Sequence, residues 1–168
     1  MIIASKYAPW IGLDLLLHAV SASQEQFTIH VVGELNSSQI QQIESDPRFI
    51  RYGLLTQAEI EPLISRSSVG IGSLALFRNG MKEGNTLKVK EYLRAGLPVY
   101  ASYRDVFDEN FPYYRNGPVD MTEILHFCDS MREYDPQTIS DLARPYIEKS
   151  QLLKKFYDQI NSHFKYHS

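Results

Sequence analysis

Val69-Gly70-Ile71-Gly72-Ser73, a polar loop ending in Gly84-Asn85-Thr86, the run Leu87-Lys88-Val89-Lys90-Glu91-Tyr92-Leu93-Arg94-Ala95-Gly96, and then Pro98-Val99-Tyr100-Ala101-Ser102 decide the fold. The first run predicts a buried strand softened by glycines. Leu87 to Ala95 predicts a helix that Gly96 stops, and Pro98 opens the next strand. A strand, a helix and a second strand at this spacing make a parallel pair joined by a right-handed crossover.

The same alternation extends outward in both directions. Upstream, Ile2-Ile3-Ala4-Ser5, Phe27–Val32 ended by Gly33, and Phe49-Ile50-Arg51-Tyr52 closed by Gly53 predict strands. Between them, Leu13, Leu16, Leu17 and Val20 recur at helical spacing, and a polar helix is predicted over roughly Ser37 to Ser45. Thr56-Gln57-Ala58-Glu59 has the form of a capping box and opens a helix with Ile60, Leu63 and Ile64 on one face. Downstream, helices are predicted near Met121–Arg132, Thr138–Arg144 and Pro145–Phe164. The expected architecture is α/β: a doubly wound, Rossmann-like parallel sheet with helices on both faces, forming one domain over residues 1–168.

Composition narrows the function. With 43% hydrophobic and 22% charged residues, the 168-residue chain has ordinary globular composition and length for a real core. A formal net charge of −3 supplies no basic field for nucleic acid, although local cations can still grip one small anion. Cys128 is the single cysteine, so no intrachain disulfide forms and a reducing, cytoplasmic setting is expected. The apolar start Met1–Ala4 reaches Ser5-Lys6 too soon for a signal peptide or membrane span. His126-Phe127-Cys128 is too sparse for a zinc site, and His30 inside a strand reads as a satisfied sheet residue. Neither a Gly-x-Ser-x-Gly elbow, nor a Walker loop, nor a Gly-x-Gly-x-x-Gly fingerprint is present.

Parallel sheets of this kind bind ligands beyond the carboxyl ends of their strands. Those ends are Lys6, Gly33, Gly53, the Leu74–Thr86 loop and Tyr103–Asp105. Gly84, Asn85 and Thr86 lead into a helix whose first N–H groups lack intrahelical partners, which with the helix dipole makes a phosphate site. Glu91 lies roughly 7 Å along that helix, where a ribose attached to the phosphates would fall. Its carboxylate can accept hydrogen bonds from two vicinal hydroxyls. Glu83 stands just before the helix, on the side of a sugar beyond the diphosphate.

The seven residues between Glu83 and Glu91 give an E-x7-E spacing that resembles retaining glycosyltransferases of the B-type fold, built from two Rossmann-like domains. Glu91-Tyr92-Leu93-Arg94-Ala95-Gly96-Leu97-Pro98-Val99 is similar to the E-Y-L-A-x-G-L-P-V run of that group. Gly12-Leu13-Asp14-Leu15-Leu16-Leu17-x-Ala19 resembles its first donor-domain helix, and Val31-Val32-Gly33 its second strand end. Leu87-Lys88-x-x-Glu91-Tyr92-Leu93 resembles bacterial members from capsule and surface-polysaccharide clusters. The likeness runs from about Ile2 to Tyr103.

The resemblance implies a donor domain that binds a nucleoside-diphosphate sugar and serves its transfer to a growing glycan, without metal or a further cofactor. It implies that Glu91 binds ribose hydroxyls and Glu83 contacts the transferred sugar. The amides of Asn85, Thr86 and Leu87 hold the diphosphate, and Gly53 and Leu54 face the base. Gly33 lines the same edge. One departure stands out. The family pairs a basic residue after the first strand with a Lys before the helix glycine; Lys6 fills the first role, but Ile11 occupies the second. Arg78 and Lys88 are the candidates for the missing charge.

The chain begins almost directly on the first donor-domain strand, so the amino-terminal acceptor domain is expected to lie outside it. The chain is then a fragment or a subunit, expected to transfer little alone, with a glycan or lipid-linked acceptor bound by the absent domain. The full-length protein is expected in the cytoplasm, peripheral at the inner face of the membrane. Phe156, Ile160 and Phe164 recur every four residues and suit docking toward that domain, with Tyr157 and Tyr166 as packing aromatics. Competing readings are a nucleotide-sugar epimerase of the same fold and a non-catalytic interaction module. A flavodoxin-like or receiver domain fits less well, because no acidic cluster follows the first strand.

Overall fold

In the computed structural model, which describes residues 1–108 and 110–148, the strands run β1 Ile2–Lys6, β2 Ile29–Glu34, β3 Phe49–Gly53, β4 Gly70–Ile71, β5 Val99–Ala101 and β6 Tyr114–Asn116. The helices are α1 Leu13–Ala22, α2 Ser37–Glu44, α3 Gln57–Ser65, α4 Leu87–Arg94, α5 Met121–Ser130 and α6 Pro136–Ile147. All strand pairs are parallel, in the order β3-β2-β1-β4-β5-β6. The order reverses between β1 and β4, which makes that pair the switch point of a doubly wound sheet. The fold class read from the alternation of runs therefore stands.

Each face of the sheet carries its own core. Leu13, Leu16 and Val20 of α1 and Met121, Ile124 and Phe127 of α5 cover one face, against Ile2, Val31 and Ile71. Leu63 and Ile64 of α3, Val89, Tyr92 and Leu93 of α4, and Ile139 and Ala143 of α6 cover the other. Burial of one such leucine or isoleucine contributes about 1.5–3 kcal/mol. Tyr92 ties the layers together: the Ile3 N–H donates to its hydroxyl at 2.9 Å. Tyr7 does the same on the opposite face, its hydroxyl donating to the carbonyls of Ile2 and Val32.

Three boundaries differ from the sequence reading. Gly33 lies inside β2 rather than ending it, at φ 130° and so close to β1 that a side chain there would strike the Ala4 carbonyl. The glycine lets two strands approach as they bulge between Ile3 and Lys6. Pro145 does not open a new helix; it sits within α6. Strand β6 was not anticipated, and Asp120 and Asp135 cap the helices that follow it. The expectations for Phe156, Tyr157, Ile160, Phe164 and Tyr166 lie outside the described residues. At the start of α3, Glu59 accepts from the Thr56 N–H and hydroxyl at 2.8 and 2.7 Å, as the box predicted. Among the described residues, no helix is long and apolar enough to cross a membrane.

Candidate functional site

Because all six strands run the same way, their carboxyl ends share one edge. Lys6 ends β1, Glu34 ends β2 directly after Gly33, Gly53 ends β3, and Leu54 follows it with 69% of its surface exposed. Above the switch point, two loops clasp. The β1–α1 loop holds a 3-10 turn, Pro9–Ile11, and the loop before α4 holds another, Leu76–Asn79. Leu74 and Ala75 donate their N–H groups to the carbonyls of Ile11 and Trp10.

Arg78 locks this clasp. Its guanidinium donates to both carboxylate oxygens of Asp14, at 2.8 and 2.7 Å, and to the Pro9 carbonyl at 2.9 Å. The hydrogen bonds from Arg78, aided by its charge, hold the Asp14 carboxyl below the usual carboxylate range. Asp14 also stands in the first turn of α1, where a carboxylate offsets the positive end of the helix dipole.

The start of α4 is assembled differently. Gly84 fits between Leu76 and the Tyr103 ring, each within 2.9 Å of where a Cβ would lie, so the loop needs a glycine there. The neighbouring residues pair with the segment that follows β5: Arg104 donates its N–H to the Lys82 carbonyl, and Gly84 donates to the Arg104 carbonyl. That arrangement holds Glu83 beside Arg104, their side chains 4.0 Å apart and both 75% exposed. Asn85 is exposed as well. Thr86 takes the N-cap position, yet its hydroxyl bonds to the Tyr103 hydroxyl at 2.7 Å instead of capping the helix. The first intrahelical bond runs from the Lys90 N–H to Thr86, so the amides of Leu87, Lys88 and Val89 precede it without an intrahelical acceptor. Glu91 follows one turn later and is exposed.

Two buried polar atoms at this helix start have no hydrogen-bond partner, the Lys88 Nζ and the Asp105 Oδ2. Burial pushes the Lys88 ammonium down to about 8. It pushes the Asp105 carboxyl up, opposed by the N–H of Val106, the Tyr103 hydroxyl and the N–H of Thr86. The sequence reading assigned no role to Asp105, Arg104 or Tyr103, although it counted their segment as part of the ligand edge. Their position directly after β5 was the available signal.

The structure thus brings Glu83, Asn85, Thr86, Leu87, Lys88 and Glu91 to one helix start, on the edge shared by Lys6, Gly33, Gly53 and Leu54. Arg78 reaches the same edge but is held by Asp14. A separate cavity of about 330 Å³ opens at the opposite, amino edge, between Thr28, Ser68, Cys128 and Arg132. Burial raises the Cys128 thiol there, which removes thiolate character. His30 bonds the Tyr52 hydroxyl at 2.9 Å.

No family model matches the sequence, and no curated protein matches it. Solved structures do resemble it in fold. A glycosyltransferase from Rickettsia africae superposes with a TM-score of 0.67 at 14% identity, covering 98% of this chain and 47% of its own. HepE from Anabaena, solved with UDP-glucose, superposes with a TM-score of 0.63 at 16% identity, covering 96% of this chain and 48% of its own. HepE solved with UDP and glucose gives 0.63 at 17% identity, over 96% and 47%. The chain spans about half the length of these structures and shares the fold of that half with glycosyltransferases.

Proposed function

We propose that this chain is the donor-binding domain of a glycosyltransferase, taking a nucleoside-diphosphate sugar for transfer to a growing glycan. The observation that carries the reading is the start of α4, where three free amides stand one turn from an exposed Glu91 and beside Glu83, at the switch point. The amides of Asn85, Thr86 and Leu87 hold the diphosphate, and Lys6 and Gly33 border it. Glu91 accepts from the ribose hydroxyls, Glu83 from the sugar, and Gly53 and Leu54 face the base. Fixed donors of this kind stabilise the charge that develops on a departing diphosphate. HepE, whose fold this chain shares, was solved with UDP-glucose.

A second body completes the cleft in this reading. Six of the nine large apolar side chains exposed among the described residues, Trp10, Leu54, Phe77, Met81, Leu87 and Val106, lie on carboxyl-edge loops or at the first residue of α4. Such a patch suits cover by another domain. That domain supplies the glycan or lipid-linked acceptor, and the isolated chain binds donor but transfers little. Retention at the anomeric carbon, a surface-polysaccharide product and work at the inner face of the membrane belong to the same proposal.

Calorimetric titration of the chain with UDP, GDP, ADP, CMP and their sugar conjugates tests it. One diphosphate binds selectively, and Glu91→Ala weakens it by about a hundredfold, the effect of two hydrogen bonds to a charged group. Binding of none of them, by this chain or by the full-length protein, overturns the reading. Glu83→Ala weakens the sugar conjugate more than the bare nucleotide; equal loss on both refutes its sugar role.

A further inference from the structure

We propose that Lys88 is the cation that meets the diphosphate in this chain, replacing the lysine that is absent at Ile11. The inference rests on the donor reading above and decides between the candidates for the missing charge.

Arg78 is already committed. It makes three hydrogen bonds, two of them a fork onto Asp14, and it lies over the Phe77 ring. Drawing it onto a ligand would leave Asp14 and the Pro9 carbonyl without their partner and would loosen the loop clasp. Lys6 is exposed at the end of β1, where water already solvates it. Lys88 alone among the three has an amine that is buried without any hydrogen-bond partner.

Two independent penalties fall on that amine in the empty protein. An ammonium taken from water without a partner is costly. A positive charge in the first turn of a helix also opposes the macrodipole. Burial lowers its pKa, yet at about 8 it stays mostly protonated at neutral pH. An anion at the start of α4, on the amides proposed for the diphosphate, relieves both penalties together.

Position agrees with this role. Lys88 lies three residues before Glu91 and four before Tyr92, so the three share one side of α4. Tyr92 reaches the Ile3 N–H, which sets that side toward β1 and the switch point. Asp105, the other orphaned group, also borders the helix start, where the Thr86 N–H and the Tyr103 hydroxyl face its carboxyl. Lys88 therefore shares its side of α4 with Glu91, the residue proposed for the ribose, one turn nearer the helix start.

The test compares Lys88→Met with wild type in two measurements on the whole chain. In calorimetry with the diphosphate that wild type selects, and with inorganic pyrophosphate as a probe lacking ribose and base, Lys88→Met weakens both. The expected loss is about ten- to a hundredfold, the range of one charge-assisted hydrogen bond. In thermal denaturation without ligand, the same variant melts higher than wild type, because an unpaired buried charge has gone. Unchanged diphosphate affinity in Lys88→Met, alongside the loss in Glu91→Ala, overturns the inference and leaves the donor reading intact. A lower melting temperature for Lys88→Met also overturns it, since the amine would then have a structural partner. If wild type binds no diphosphate at all, the donor reading fails and this inference fails with it.

Discussion

Helices α1 and α4 both begin at the carboxyl edge of the same sheet, on either side of the switch point, and their first turns are opposites. α1 carries Asp14 in its first turn, and Arg78 from a distant loop completes the pair. α4 carries no acid there; it carries Lys88, whose amine is buried and unpartnered. The first helix start is electrostatically closed, while the second is left open at a cost in stability. A helix N-terminus is common and says little alone. A start that also holds an unpaired cation tells a binding position from a structural one.

Three changes sharpen or break that contrast. The largest effect concerns pH. The Lys88 amine titrates at about 8 when folded and at 10.5 when unfolded. Between those values the unfolded chain binds more protons, so stability rises with pH across the window. Lys88→Met should flatten this part of the profile, removing a rise of at most about 3 kcal/mol. Denaturant unfolding of both proteins from pH 7 to 10.5 checks it, and parallel profiles would show that the amine is solvated.

A smaller effect follows from opening the closed start. Asp14→Ala removes the dipole partner of α1 and frees Arg78, for a loss of about 1 kcal/mol. In a chain of this size the melting temperature falls by about 2–4 °C, readable by circular dichroism. The smallest effect comes from closing the open start. Leu87 is the first residue of α4 and 68% exposed, so Leu87→Glu adds an acid there without disturbing the core. It should stabilise the empty chain by about 0.3–1 kcal/mol while weakening diphosphate binding in calorimetry. An acid that stabilised the helix without weakening the ligand would break the contrast.

Much of this was legible in local sequence. Alternating runs gave the parallel sheet, and Thr56 with Glu59 marked the start of α3. Gly84, Asn85 and Thr86 before an amphipathic run marked the start of α4. Strand β6 was not legible because Tyr114-Arg115-Asn116 is three residues long and lacks β-branched side chains. The pairing of Arg78 with Asp14 spans 64 positions, and no local pattern carries such a contact. Likewise, the periodicity of α4 sets Lys88 on the border of its buried face. Whether its amine reaches water depends on the loops packed around it. The sequence named both basic candidates, and only tertiary structure separated them.

The rim of the edge has an optical consequence. Trp10 is the single tryptophan of the chain, and it stands on the loop clasp with 41% of its surface in water. Its indole emission therefore comes from one place, the mouth of the cleft. Any body that settles over that mouth dries one fluorophore and shifts one spectrum to the blue, so closure can be followed in the unlabelled protein.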